Sequence, residues 1–261
     1  MEIFISLGLF SYQKIYNLLM ARKSSRRQRI TEGEMIQASN PKFEDHKPLL
    51  PMNPSQVDAM RYLKTKTLTI LTGPPGTAKT LLSIHAACEK LQKREIEKIY
   101  YVKPIVSTPG EQGLGFLPGN LEEKIAPHIM PIRDSLAVFM QKGKADYLIE
   151  KKIIEFLPIE HLRGRSLHRC MIIADEMQNA TTHSVMTILT RLGDSSSIAL
   201  LGDVVQRDLA NRYGHDGLSD ALRRLGSNQS VGHVNFGYNE IVRSDFVKSV
   251  IRAYSDLYSP T

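Results

Sequence analysis

The sequence predicts an α/β domain: a predominantly parallel sheet with helices on both of its faces. Three observations carry that expectation. Short apolar runs without polar alternation read as strands buried on both sides, and longer amphipathic stretches fall between them. One of those runs passes through a glycine-rich loop directly into a helical pattern. An alternating chain of this kind carries its ligands at the carboxyl ends of the strands.

Candidate strands are Leu68 to Leu71, Ile99 to Val102, Cys170 to Ala174, Ile198 to Leu201 and Val231 to Phe236. Leu81, Leu82, Ile84, Ala87 and Leu91 mark a helix after the first of them. Val185, Ile188, Leu189 and Leu192 recur at i, i+3, i+4 and i+7, which predicts an amphipathic helix ended by Gly193. Asn120, with Glu123 three residues on, reads as a capping-box helix start. It lies in a stretch from about 107 to 165, between the second and third strands, that reads as an insertion, either a lid or an inter-subunit element.

Residues 1–50 read as a flexible N-terminal tail, and 51–261 as the domain. Ile3, Phe4, Ile5, Leu7, Leu9 and Phe10 form an apolar cluster too short to span a bilayer, and Glu2 stands where a secretory signal would be positive. Met20 followed by Ala21-Arg22-Lys23-Ser24-Ser25-Arg26-Arg27 reads as the true start of translation. If Met1 is used instead, the first 20 residues are better read as an interfacial or partner-binding helix.

Composition narrows the class. With 34 Lys and Arg against 27 Asp and Glu the balance is 34 − 27 = +7, and the calculated pI is 9.3. That balance suits a polyanionic partner and is also an ordinary solubility feature. Apolar residues at 42% and charged residues at 23% exclude a disordered, collagen-like or coiled-coil chain. Two cysteines, Cys88 and Cys170, give neither a disulfide framework nor a C-x-x-C pair, which points to a reducing, cytoplasmic setting. Both are expected to be packing thiols, and His85 and His183 to lie on helix surfaces. No H-E-x-x-H pair or clustered histidine spacing occurs, so a catalytic metal other than magnesium is not expected.

The chemistry gathers at three strand ends. Gly73-Pro74-Pro75-Gly76-Thr77-Ala78-Lys79-Thr80 stands between a strand and a helix, the order a phosphate-binding loop needs. Glycines there turn backbone N–H groups inward, and the helix N-terminus adds a positive field. In this reading Lys79 reaches the β and γ phosphates and Thr80 holds magnesium. Ala78 stands where the strict motif has glycine, and it is strained by about 1 kcal/mol if the loop needs positive φ there. The buried run Met171 to Ala174 delivers Asp175 and Glu176 to the same edge, the first for the metal shell and the second as general base. After the next strand comes Gly202-Asp203-Val204-Val205-Gln206, where Gln206 reads equally as a γ-phosphate sensor or a loop residue. Arg243 is the candidate for stabilising charge on a transferring phosphoryl group, with Arg207 and Arg212 as rivals and a surface ion pair as the competing reading for all three.

These motifs together resemble the PhoH family. The resemblance extends to Asp175-Glu176-Met177-Gln178-Asn179, Lys103-Pro104-Ile105-Val106, Gly113-Leu114-Gly115-Phe116-Leu117-Pro118-Gly119 with Leu121-Glu122-Glu123-Lys124, and Leu162-Arg163-Gly164-Arg165-Ser166-Leu167. It covers about residue 51 to the end. The family resembles the first RecA-like domain of superfamily 1 helicases, which implies a three-layer P-loop NTPase fold, ATP and Mg2+ as cofactors, and coupling to single-stranded RNA or DNA. Gln56, in Asn53-Pro54-Ser55-Gln56, resembles the helicase glutamine motif and would read the adenine edge. No membrane partner is expected from the chain's apolar runs, and the resemblance further implies a homo-oligomer, of which a hexamer is one form, and short phage-type relatives. Ala78 for glycine, Lys103 for arginine and Ser244 for histidine depart from the family pattern. Two functions follow: an ATPase, whose motor action would need a neighbouring subunit, or a non-enzymatic nucleic-acid-binding module using Arg22, Arg26, Arg27, Arg163 and Arg165. A kinase ranks below both, since no acceptor pocket is legible.

Overall fold

The computed structural model describes residues 47–104, 130–204 and 217–254. All of the described residues fall in one compact unit, Glu44–Thr261.

Its centre is a six-stranded sheet in the order β3-β2-β4-β5-β1-β6. The strands are β1 (Leu68–Thr72), β2 (Lys98–Lys103), β3 (Ile154–Pro158), β4 (Cys170–Ala174), β5 (Ser197–Gly202) and β6 (Val231–Asn235). All neighbouring pairs run parallel. The helices between them are α1 (Pro54–Thr65), α2 (Lys79–Gln92), α3 (Lys142–Glu150), α4 (Thr182–Leu189), α5 (Gly217–Leu225) and α6 (Asp245–Ala253), with a further helical segment at 130–137. β1, β4 and β5 are buried along their whole length, which is why they read as continuous apolar runs. Ile70, Val102, Ile172 and Leu200 point to one face, where Val185 and Ile188 of α4 and Leu218 and Ala221 of α5 close over them. α1 and α2 pack on the sheet as well and bury Ala59, Leu63, Leu82 and Ala86, which completes the predicted layered architecture.

Three expectations are corrected. β3 was not foreseen: Ile-Glu-Phe-Leu-Pro mixes a carboxylate into a short run and ends in proline, a residue tolerated at an edge because no ladder N–H is needed there. It pairs with β2 from Ile99 opposite Ile154 to Lys103 opposite Pro158, so the end of the 107–165 stretch contributes a strand to the sheet. The capping-box start at Asn120 and the glycine-rich motif at 113–119 lie outside the described residues. α4 stops at Leu189 rather than at Gly193. Leu192 instead bridges Leu167, and the Gly193 N–H donates to the Leu167 carbonyl at 2.8 Å. Gly193 is there for close approach: a Cβ would stand 2.5 Å from the His168 ring. Finally, His85 is buried, not on a helix surface; its Nε2 accepts the Leu49 N–H at 3.0 Å and its ring meets Phe139 edge-on. His183 is exposed and both cysteines are buried, as read.

Candidate functional site

The loop after β1 is shaped by the strands beside it. Gly73 has φ +131°, and a Cβ there would lie 2.3 Å from the Phe236 carbonyl oxygen, so glycine is needed where the chain leaves the strand. Gly76 has φ +83°, accepts the Val242 N–H at 2.9 Å, and lies under the side chain of Arg243, whose Cγ would be 2.9 Å from a Cβ. Ala78, the last residue before α2, has φ +69° and ψ 19°. The expected strain at this position is therefore present.

Lys79 opens α2 and folds back over the loop. Its Nζ donates to the carbonyls of Gly73 at 2.7 Å and Pro74 at 2.9 Å, and to Thr77 Oγ1 at 3.3 Å. Burial pushes its pKa down, while the charges of Asp203, Asp175 and Glu176 push the other way. Thr80, one residue on, donates from Oγ1 to Asp175 Oδ2 at 2.8 Å.

Asp175 leaves the end of β4 already supported on three sides. Tyr101 of β2 donates its hydroxyl to Oδ2 at 2.7 Å, and the Glu176 N–H donates to Oδ1 at 3.0 Å. Burial and the Asp175 carboxylate hold the Tyr101 hydroxyl far above its ordinary pKa, so it stays a donor. Glu176 takes a left-handed conformation, φ 56° and ψ 36°, which turns the chain sharply at the strand end. Gln178 then holds it: Nε2 donates to Glu176 Oε2 at 2.7 Å, and Oε1 accepts the Asp203 N–H at 3.2 Å. A Cβ on Gly202 would meet that same Oε1 at 2.4 Å, so glycine ends β5 to admit the amide.

Gly76, Lys79, Thr80, Asp175, Glu176, Asp203 and Arg243 line one cavity of about 230 Å³. Three carboxylates and two cations face each other across it, an arrangement suited to a divalent cation with a phosphate chain. Among the described residues no group of three or more His, Cys, Asp or Glu could hold a metal by itself. Sequence reasoning missed Tyr101, Gln178 and Ser135, the last reaching the cavity wall from the 130–137 helix. Gln206, Arg207 and Arg212 lie outside the described residues. Gln56 is not on the cavity wall. It sits buried in the first turn of α1, where Asn53 caps the helix by accepting the Gln56 N–H; its own Oε1 takes the Met52 N–H at 2.8 Å, and its Nε2 has no partner among the described residues. Arg163 and Arg165 are exposed.

Strand, glycine loop and helix, with an acidic strand end one strand removed, define the class of the domain: a P-loop α/β fold of the RecA-like type. The family model for PhoH-like proteins matches residues 48–255. Protein PhoH of Escherichia coli (strain K12) is 34% identical over 213 residues, covering 81% of this chain and 59% of its own length. The PhoH-like protein of Bacillus subtilis (strain 168) is 35% identical over 199 residues, 76% of this chain and 61% of that one. The chain belongs to the PhoH family, and it spans about three fifths of the length of these relatives. Among solved structures, the large terminase of a thermophilic bacteriophage, in complex with ADP, aligns with TM-score 0.49 and 14% identity over 81% of this chain and 51% of that one. The UvsW helicase of bacteriophage T4 aligns with TM-score 0.43 and 15% identity, over 80% and 68%. Neither is close enough to bear on activity.

Proposed function

We propose that this protein binds and hydrolyses ATP with magnesium, and that turnover is coupled to single-stranded RNA or DNA. The observation that carries this reading is the meeting of Lys79, Thr80, Asp175 and Glu176 on one cavity, from two separate stretches of chain.

The residues fit the task. Lys79 Nζ is held by neutral acceptors, and an anionic phosphoryl oxygen is a stronger one, so the ammonium exchanges loop carbonyls for the β and γ phosphates. Thr80 Oγ1 and Asp175 Oδ2 are 2.8 Å apart and are the oxygens that would hold magnesium. Magnesium, when bound, neutralises charge on the phosphoryl oxygens. Glu176, its Oε2 fixed by Gln178, keeps Oε1 to accept a proton from water. Arg243, laid over Gly76, stabilises developing charge, and Gln206 reports the γ phosphate in the same scheme. Gln56 Nε2, without a partner among the described residues, is a buried donor at the start of α1 for the adenine ring.

Residues 51–261 are proposed as the ATPase domain and 1–50 as a tail, in a cytoplasmic homo-oligomer. Among the described residues no helix is long and apolar enough to cross a membrane. The test is phosphate release from ATP with magnesium, with and without single-stranded RNA or DNA. Strand-stimulated release, lost in Glu176→Gln and in folded Lys79→Ala, is the expected result. Release that persists in Lys79→Ala overturns the site. No release by the wild type, with ATP still bound, would favour a nucleotide-controlled binding module, with Ala78 at fault.

A further inference from the structure

At the opposite edge of the sheet, about 15 Å from the phosphate loop by strand length, lies a second cavity of about 260 Å³. Its walls come from the amino ends of β1 and β5 and from the last turn of α2, and they include Lys64, Lys66, Lys90, Glu95, Ser195 and Ser197. We propose that this cavity binds a phosphate group, with the Lys90 ammonium as its anchor.

Lys90 is the unusual residue. Only 8% of it is exposed, and its Nζ donates to Ser197 Oγ at 3.0 Å. Among the described residues no carboxylate lies within ion-pair distance of it. A lysine this buried normally has an ionic partner, because an uncompensated ammonium is costly to desolvate. Burial pushes its pKa down, and Glu95, the one carboxylate on the wall, acts on it only at a distance. The C-terminal end of α2 favours a cation at this position but does not account for its burial.

The surroundings select an oxyanion. Lys66 adds a second ammonium, now resting on the Gln229 carbonyl at 2.6 Å, while Lys64 is engaged by Glu89. Ser197 Oγ accepts from Lys90 and keeps its own proton to donate. Ammonium groups used as point charges, joined by hydroxyl donors, match the several acceptor oxygens of a phosphate. Free phosphate and the backbone of a nucleic-acid strand present the same chemistry. The inference stands apart from the nucleotide assignment, since it shares no residue with that cavity.

The test silences the phosphate loop first. Inorganic phosphate is titrated calorimetrically into full-length Lys79→Ala protein, at ionic strength held constant with chloride. Binding is expected there, is expected to vanish in Lys79→Ala/Lys90→Met, and is expected to weaken about tenfold in Lys79→Ala/Lys66→Ser. Methionine keeps the buried stem, so folding is retained; if it is not, the half-buried Lys66 variant decides. A single-stranded RNA oligonucleotide that displaces phosphate identifies the strand backbone as the source, and failure to displace it identifies free phosphate. No phosphate binding in Lys79→Ala, or binding that survives in both double variants, overturns the proposal.

Discussion

Ala78 bears a cost that its sequence position announced. At φ +69° its Cβ crowds the backbone, an arrangement worth about 1 to 2 kcal/mol for an L-residue, against which glycine loses some of that gain to its greater freedom when unfolded. Ala78→Gly is therefore expected to raise stability by about 0.5 to 1 kcal/mol in urea melts, and to tighten ATP binding. Tyr101 makes the opposite kind of contribution. Its hydroxyl is one of two donors on Asp175 Oδ2, so Tyr101→Phe should cost about 1.5 to 3 kcal/mol, the range for a bond to a charged acceptor, read by the same melts. The loop, Asp175 and Glu176 were legible because their residue types occur in order along the chain. Tyr101 and Gln178 were not. Tyr101 reaches Asp175 from 74 positions away, and only the adjacency of β2 and β4 brings them together. Gln178 looked like one more letter of a motif until the end of β5 was found against its amide.

Five of the six strands were readable from their apolar residues, and three of them, β1, β4 and β5, are buried along their whole length, which favours apolar side chains throughout. β3 escaped because Glu155 and the terminal Pro158 break its short apolar run, although most of its residues are buried. The end of α4 was misplaced for a related reason: Leu192 keeps the helical period yet spends its contact on Leu167, a strand-like pairing no helical wheel can anticipate. The seat of α1 on β6 depends on Gly232, where a Cβ would fall 2.4 Å from Tyr62 Cγ and 2.7 Å from its Cβ. Gly232→Ala should push α1 outward, at about 1 to 3 kcal/mol for overpacking. Because Gln56 rides on the first turn of that helix, the preference for ATP over GTP should fall with it. Gly237→Ala is the control, with φ −91° and only Glu240 Oε2 at 3.9 Å, and should stay within about 0.5 kcal/mol. Equal losses in the two variants would refute the packing argument. α2 offers a second check. Cys88 is wholly buried with its thiol pushed up to about 12, and Cys170 is raised by burial too, so neither should react with a thiol reagent near pH 8 until the protein unfolds.

For the whole molecule, the pH dependence of folding just below neutral rests on two imidazoles, the buried His85 and the more exposed, partly desolvated His233, rather than on the +7 net charge. His85 ties the segment before α1 to α2 by accepting the Leu49 N–H, and His233 of β6 shares a 3.0 Å bond with Thr72 Oγ1 at the end of β1. Burial is the largest cause in each case, and it lowers both below the ordinary value of 6.5. In the unfolded chain these rings take up protons as pH falls through 6.5, while in the folded protein they resist until lower pH. The unfolded state therefore binds more protons in the window just below 6.5, and stability, complete above it, falls as pH drops through it. Protonation also removes the lone pair by which His85 holds Leu49, so acid should break that contact first. Thermal midpoints measured between about pH 7.5 and 5 should decline, and the decline should be shallower in His85→Gln/His233→Gln, where nothing titrates at those positions. The slopes are to be compared, since the substitutions carry costs of their own. Parallel slopes would mean that the acid sensitivity comes from groups other than these two imidazoles.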